Sequence, residues 1–150
     1  LGVYSRDLVV KMAMVLSMLG SNRAWVVHGE DGLDEITTTG ITHVAEVNNG
    51  KVSTFTINPA DYGIELADPE DLKGSDAFQN ARELREVLLG RGKKAYRDIV
   101  LLNSAAALVI CGKAVDLHEG LTLAKESINS SKANDALLNL ALILSEETSS

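Results

Sequence analysis

Leu8, Met12, Val15, Leu16 and Leu19 recur at the spacing of one helix face and stop at Gly20, which predicts a helix over residues 4–19. Ala24, Trp25, Val26 and Val27 then form a short apolar run with no polar alternation. That pattern predicts a strand covered on both faces, as in a parallel sheet, with His28 at its carboxyl end. Runs over 42–47 and 51–57 flank Asn48-Asn49-Gly50, where Asn-Gly supplies the positive φ values of a tight hairpin turn.

From Asn58 onward the punctuation changes to helix starts. Asn58-Pro59 and Asp68-Pro69 each place a capping side chain before a proline whose missing N–H costs nothing in a first turn. Ser75 is the expected cap of a helix over 76–89, with Phe78, Ala81, Leu84 and Leu88 facing inward and Gly90 and Gly92 ending it. A buried helix over 95–115 follows, with Asn103 placed to hydrogen-bond a neighbouring backbone. Asp116 and Glu119 form a capping-box pattern for a helix burying Leu117, Leu121, Ala124 and Ile128. A last helix carries Ala133, Leu137, Leu140 and Leu144 on one stripe, before a polar tail over 146–150 that is expected to fray. The class is α/β: part of a mixed, mostly parallel sheet with a β-hairpin and flanking helices. The parallel neighbours of residues 24–27, with their βαβ crossovers, are expected upstream of Leu1, in a longer protein.

Composition narrows the function. At 150 residues and 45% hydrophobic content the chain can bury a real core. A net charge of −7 argues against a nucleic-acid surface or an anionic membrane patch, both of which need clustered Lys and Arg. A metal ion carrying a phosphorylated small molecule remains compatible. The apolar run over 99–111 is interrupted by Asn103 and Ser104 and is too short to span a bilayer, and no targeting segment is visible. The lone Cys111, among apolar neighbours, is expected to be a buried thiol, consistent with a reducing cytoplasm.

The chemistry concentrates in "HGEDGLDEITTTG", residues 28–40, where Glu30, Asp31, Asp34 and Glu35 follow the apolar strand. Ligands of open α/β sheets sit beyond the carboxyl ends of strands. Adjacent carboxylates such as Asp34 and Glu35 are costly together unless water or a cation screens them. From spacing alone a solvated helix-start loop and a Mg²⁺ site both stay open, since Mg²⁺ takes one or two carboxylates and completes its shell with water and phosphate oxygens. His28 reads as a structural histidine or a substrate contact, and His43 and His118 read as structural. "GRGKK", residues 90–94, lacks P-loop spacing, and Ser75 and Ser104 lack a nucleophile-elbow context.

Five blocks, "LGVYSRDLVVKMAMVLSMLG", "RAWVVHGEDGLDEITTTG", "INPADYGI", "DLKGSDAFQNA" and "DIVLLNSAAAL", stand in the order and spacing of the carboxyl-terminal half of the anthranilate phosphoribosyltransferase family, which this chain resembles over essentially all 150 residues. Ser75 and Ser104 depart mildly from positions that are usually glycine and alanine in the family. The resemblance implies transfer of phosphoribosyl from phosphoribosyl pyrophosphate to anthranilate, with release of pyrophosphate, in tryptophan biosynthesis. It implies that Asp34 and Glu35 hold Mg²⁺ against the pyrophosphate, and it assigns no other catalytic or substrate-binding residue here. The family's glycine-rich phosphate loop, its K-H-G-N loop and its anthranilate-binding arginine have no counterpart in residues 1–150. The resemblance therefore implies that the amino-terminal half, including the helical domain through which a homodimer is expected, must act together with this chain. The alternatives are a non-catalytic structural fragment, a nucleoside phosphorylase-like protein of the same architecture, and a nucleic-acid-binding relative, which the charge balance disfavours.

Overall fold

The computed structural model describes residues 1–147. Helix α1 spans Arg6–Met18 and is followed by strands β1 (Arg23–Gly29), β2 (Thr42–Asn48) and β3 (Lys51–Ile57). Two single-turn 3-10 helices, Pro59–Tyr62 and Pro69–Leu72, lead into α2 (Ala77–Leu88), α3 (Lys94–Ile110), α4 (Leu117–Asn129) and α5 (Lys132–Glu147). Both short turns are capped as expected: Asn58 and Asp68 accept from the backbone N–H two residues on, with proline next in the chain.

The three strands lie in the order β1-β2-β3 and both pairings are antiparallel, while the other edge of β1 pairs in parallel with the segment around Gly2. The parallel element is an edge bridge between Gly2 and Val27, held by Val27 N–H on Leu1 O at 2.9 Å and Val3 N–H on Val27 O at 3.0 Å. What the unbroken apolar run reported was two covered faces. Ala24 and Val26 pack with Val9, Ala13 and Leu16 of α1, whereas Trp25 and Val27 join Leu102, Ala105 and Val109 of α3 on the other side. The α/β class therefore stands, as a sheet between helical layers. At the hairpin, Asn49 (φ 48°) and Gly50 (φ 79°) both take the left-handed conformation that the Asn-Gly pair predicts.

Helix boundaries differ in instructive ways. Asp76, not Ser75, caps α2 by accepting Gln79 N–H at 2.8 Å, while the Ser75 backbone is held on both sides by the Asn80 amide. Helix α2 lies at the rim, so Val87 near its end is buried while Ala81, Leu84 and Phe78, the last 77% exposed, face outward. Helix α3 stops at Ile110, short of residue 115, because Gly112 takes a positive φ and Lys113 N–H turns back onto Leu108 O at 2.8 Å. That early stop leaves Cys111 exposed rather than buried. Helix α4 is capped by Asp116 and Glu119 and buries the four residues the pattern named. It approaches α3 so closely that a Cβ on Gly120 would stand 2.7 Å from Ala105 O. Helix α5 meets the molecule along α4 and α2, and none of its residues 132–145 is fully buried; Leu140 and Leu144 are more than half exposed, against the inward stripe expected. It continues through Glu147, and residues 148–150 of the expected frayed tail lie outside the described residues.

Candidate active site

The acidic segment is the β1–β2 connection at the carboxyl end of β1, and it contains no helical turn, so it is not a helix start. It is a closed loop. Its base is fixed by Gly29 N–H on Leu33 O and Glu30 N–H on Ile41 O, both 2.9 Å, and Gly32 takes a φ of 93° in the turn.

The four carboxylates have different partners. Asp31 is tied inward: one oxygen accepts the hydroxyls of Thr37 and of Thr39, the latter at 2.5 Å, and the other accepts Leu33 N–H at 3.1 Å. Burial works to raise the Asp31 pKa, but the two threonine hydroxyls and the backbone N–H groups together outweigh it and hold the pKa below the usual 3.8. Glu30 Oε1 lies 3.3 Å from His43 Nε2. Asp34 and Glu35 are exposed, and neither carboxylate has a hydrogen-bond or ion-pair partner among the described residues.

The backbone on either side of this uncommitted pair is held in place. On one side Gly2 lies against Asp34 so closely that a Cβ there would overlap the Asp34 carbonyl oxygen. On the other, Ile36 is 2% exposed and its N–H and C=O are both bonded by the Asn103 side chain of α3, at 3.0 and 2.8 Å. Beyond it the fully buried Thr37 donates its N–H to Thr42 Oγ1 at 3.0 Å, and Thr38 O accepts Ala67 N–H at 2.9 Å. Thus the threonine cluster anchors the loop.

Glu35 lines a cavity of about 430 Å³ with Leu33 and Thr39 of the loop, Leu72 at the end of the second 3-10 turn, Lys73 just after it, and Tyr96 of α3, whose hydroxyl donates to Lys73 O at 2.6 Å. Asp34 is not part of that lining. His28, half-buried, donates Nδ1–H to Val3 O at 2.8 Å, which fits its structural reading. The His118 ring lies against Tyr62, tilted by 45° with the centroids 4.9 Å apart. In the 90–94 segment Lys94 is engaged by Asp98 at 2.7 Å and Glu65 at 3.4 Å, and Lys93 lies over the Tyr96 ring, so both ammonium groups face partners already in the chain.

No group of three or more His, Cys, Asp or Glu converges as a metal site among the described residues. A closed nitrogen- or sulfur-rich site for zinc does not fit. Two exposed, adjacent carboxylates do fit Mg²⁺, which binds through one or two carboxylates and takes its other ligands from water and phosphate. Sequence reasoning missed the distinct role of Asp31 and the contact at Gly2. The signal for the first was present in Thr37 and Thr39, hydroxyls within eight positions of a surplus carboxylate.

Residues 1–134 match the model of the glycosyl transferase family, a/b domain. The chain belongs to this family. It is 52% identical over 149 residues to the anthranilate phosphoribosyltransferase of Agrobacterium fabrum, a match covering 99% of this chain and 43% of that protein. Among solved structures it resembles the crystal structure of anthranilate phosphoribosyltransferase from Thermus thermophilus, with a TM-score of 0.83 at 36% identity over 92% of this chain and 40% of that one. It also resembles the Saccharomyces cerevisiae enzyme in complex with PRPP and Mg, with a TM-score of 0.82 at 30% identity over 91% of this chain and 39% of that one. The same yeast enzyme has been solved with 4-fluoroanthranilate, with a TM-score of 0.82 at 31% identity over 91% and 40%. The chain thus spans about 40% of the length of the relatives it matches. No helix among its described residues is long and apolar enough to cross a membrane.

Proposed function

We propose that residues 1–150 are the carboxyl-terminal portion of the α/β domain of an anthranilate phosphoribosyltransferase, a cytoplasmic enzyme of tryptophan biosynthesis that transfers phosphoribosyl from PRPP to anthranilate and releases pyrophosphate. In this reading Asp34 and Glu35 hold Mg²⁺ against the pyrophosphate. The observation that carries it is the contrast within one loop: Asp31 is consumed by Thr37, Thr39 and Leu33, whereas Asp34 and Glu35 are presented to solvent without partners. Water screens two exposed like charges only in part, and a cation between them would neutralise both.

The reaction separates a pyrophosphate anion from a ribose that becomes cationic at its anomeric carbon. When bound, Mg²⁺ supplies neutralisation of the charge that builds on the departing pyrophosphate. The chain's own contribution is to fix two anionic oxygen donors on a loop anchored in the core, so that little reorganisation accompanies binding. Glu35 also forms part of the wall of the cavity against α3.

The remainder of the enzyme, the part of the relatives that this chain does not span, is proposed to supply the other phosphate and anthranilate contacts and the helical surface for a homodimer. Residues 1–150 alone are therefore expected to show no phosphoribosyl transfer. The test is an anthranilate-fluorescence assay of the full-length enzyme carrying Asp34→Asn with Glu35→Gln. Loss of activity at limiting Mg²⁺ supports the metal role, and wild-type activity there rules it out.

A further inference from the structure

Asn103 and Ile36 are 67 positions apart, yet the Asn103 amide addresses Ile36 as a neighbouring strand would. Its Oδ1 accepts Ile36 N–H at 3.0 Å, while Nδ2 donates to Ile36 O at 2.8 Å and to Ile99 O at 3.0 Å. Both amide hydrogens are thereby used, and the side chain is locked to its own helix as well as to the loop.

We propose that Asn103 is a positioning residue: by clamping the peptide groups that follow Glu35, it fixes the direction in which Asp34 and Glu35 present their carboxylates and so sets the affinity for the divalent cation. This rests on the metal reading above. The two exposed side chains have no partner to orient them when no cation is bound, so their direction depends on how firmly the backbone beneath them is held. The Ile36 side chain is buried in the core, the Asp34 backbone is confined by Gly2, and the Asn103 amide completes the restraint from the α3 side. Partners that hydrogen-bond a ligating side chain directly are worth about 10- to 100-fold in metal affinity, and Asn103, which holds the next peptide instead, is expected at the low end of that range. A residue that only satisfied buried polar groups would change stability and leave the affinity of the folded protein unaltered.

The experiment uses the full-length protein with Mn²⁺ as probe, reading free Mn²⁺ by electron paramagnetic resonance well below each variant's unfolding temperature. The variants are Asn103→Ala, Asn103→Asp, and the double change Asp34→Asn with Glu35→Gln. Asn103→Asp keeps the volume and the acceptor oxygen but sets a charged carboxylate oxygen against Ile36 O and Ile99 O, a charge that by itself would favour a cation, whereas Asn103→Ala loses the clamp without adding charge; weakening in both therefore assigns the effect to the lost amide. The expected result is loss of the site in the carboxylate double variant and a weakening of about tenfold in both Asn103 variants. In the transfer assay the Asn103 variants should need more Mg²⁺ but approach wild-type kcat at saturation. Wild-type Mn²⁺ affinity in the Asn103 variants, with the site lost in the carboxylate variant, would overturn the positioning role alone. Wild-type affinity in the carboxylate variant would remove the metal reading and the positioning role with it.

Discussion

Gly2 and Asp34 touch backbone to backbone, with no room for a Cβ between them. The contact joins the parallel edge segment beside β1 to the residue that carries the first of the two free carboxylates. Gly2→Ala cannot be relieved by a rotamer change, because the obstructing atom is a carbonyl oxygen. It is expected to lower stability by about 1–3 kcal/mol and to weaken divalent-cation binding. Urea unfolding followed by Mn²⁺ titration measures both, and unchanged values for both would show that Asp34 is not confined there.

The Asp31 network predicts a pH effect with a definite sign. Its pKa is lower in the folded protein than the usual 3.8, so its contribution to stability is present above that value and is lost as pH falls through the folded pKa. Asp31→Asn should cost about 1 kcal/mol near neutral pH, a small figure because the carboxylate is partly solvated, and the difference from wild type should shrink below about pH 4. Chemical unfolding from pH 3 to pH 7 checks this. A difference that grows on acidification would mean that the threonine hydroxyls do not favour the ionised form.

At the α3–α4 contact, Gly120→Ala would push a methyl group against Ala105 O, in a region where both helices are buried. The expected loss is about 1–3 kcal/mol with secondary structure retained, read as a lower thermal midpoint by circular dichroism.

Asp34→Asn and Glu35→Gln, by contrast, are expected to change stability by no more than about 0.5 kcal/mol, since both side chains are exposed and without partners. A large loss of stability from either substitution would assign the pair to the fold rather than to a ligand.

Much of the architecture was readable because it is encoded locally. Asn49-Gly50 predicts its own turn, Asp116 and Glu119 their own cap, and the apolar run of β1 its two covered faces. That β1 pairs antiparallel with β2 and in parallel with the segment at Gly2 was not readable, since a strand between two helical layers has the same composition whichever way its neighbours run. The stripes of α2 and α5 misled because periodicity reports an apolar face and not whether anything lies against it; Phe78 and Leu144 are exposed. The site was legible as an acidic loop, and the Asp34–Glu35 pair stood out through family resemblance. The division of labour within it was hidden, because it depends on contacts such as Asn103 to Ile36 that join segments distant in sequence. Asn103 itself was correctly expected to bond a backbone, since an amide inside an apolar helix requires a partner.

Asp34 and Glu35 are proposed to serve a cation, leaving the fold to Asp31. The most direct measurement is the Mg²⁺ dependence of phosphoribosyl transfer in the full-length enzyme, wild type against Asp34→Asn with Glu35→Gln, with unfolding midpoints recorded alongside. An unchanged midpoint and a Mg²⁺ requirement raised at least about tenfold, or activity lost, are expected. A double variant as active as wild type at limiting Mg²⁺ would contradict the cation role.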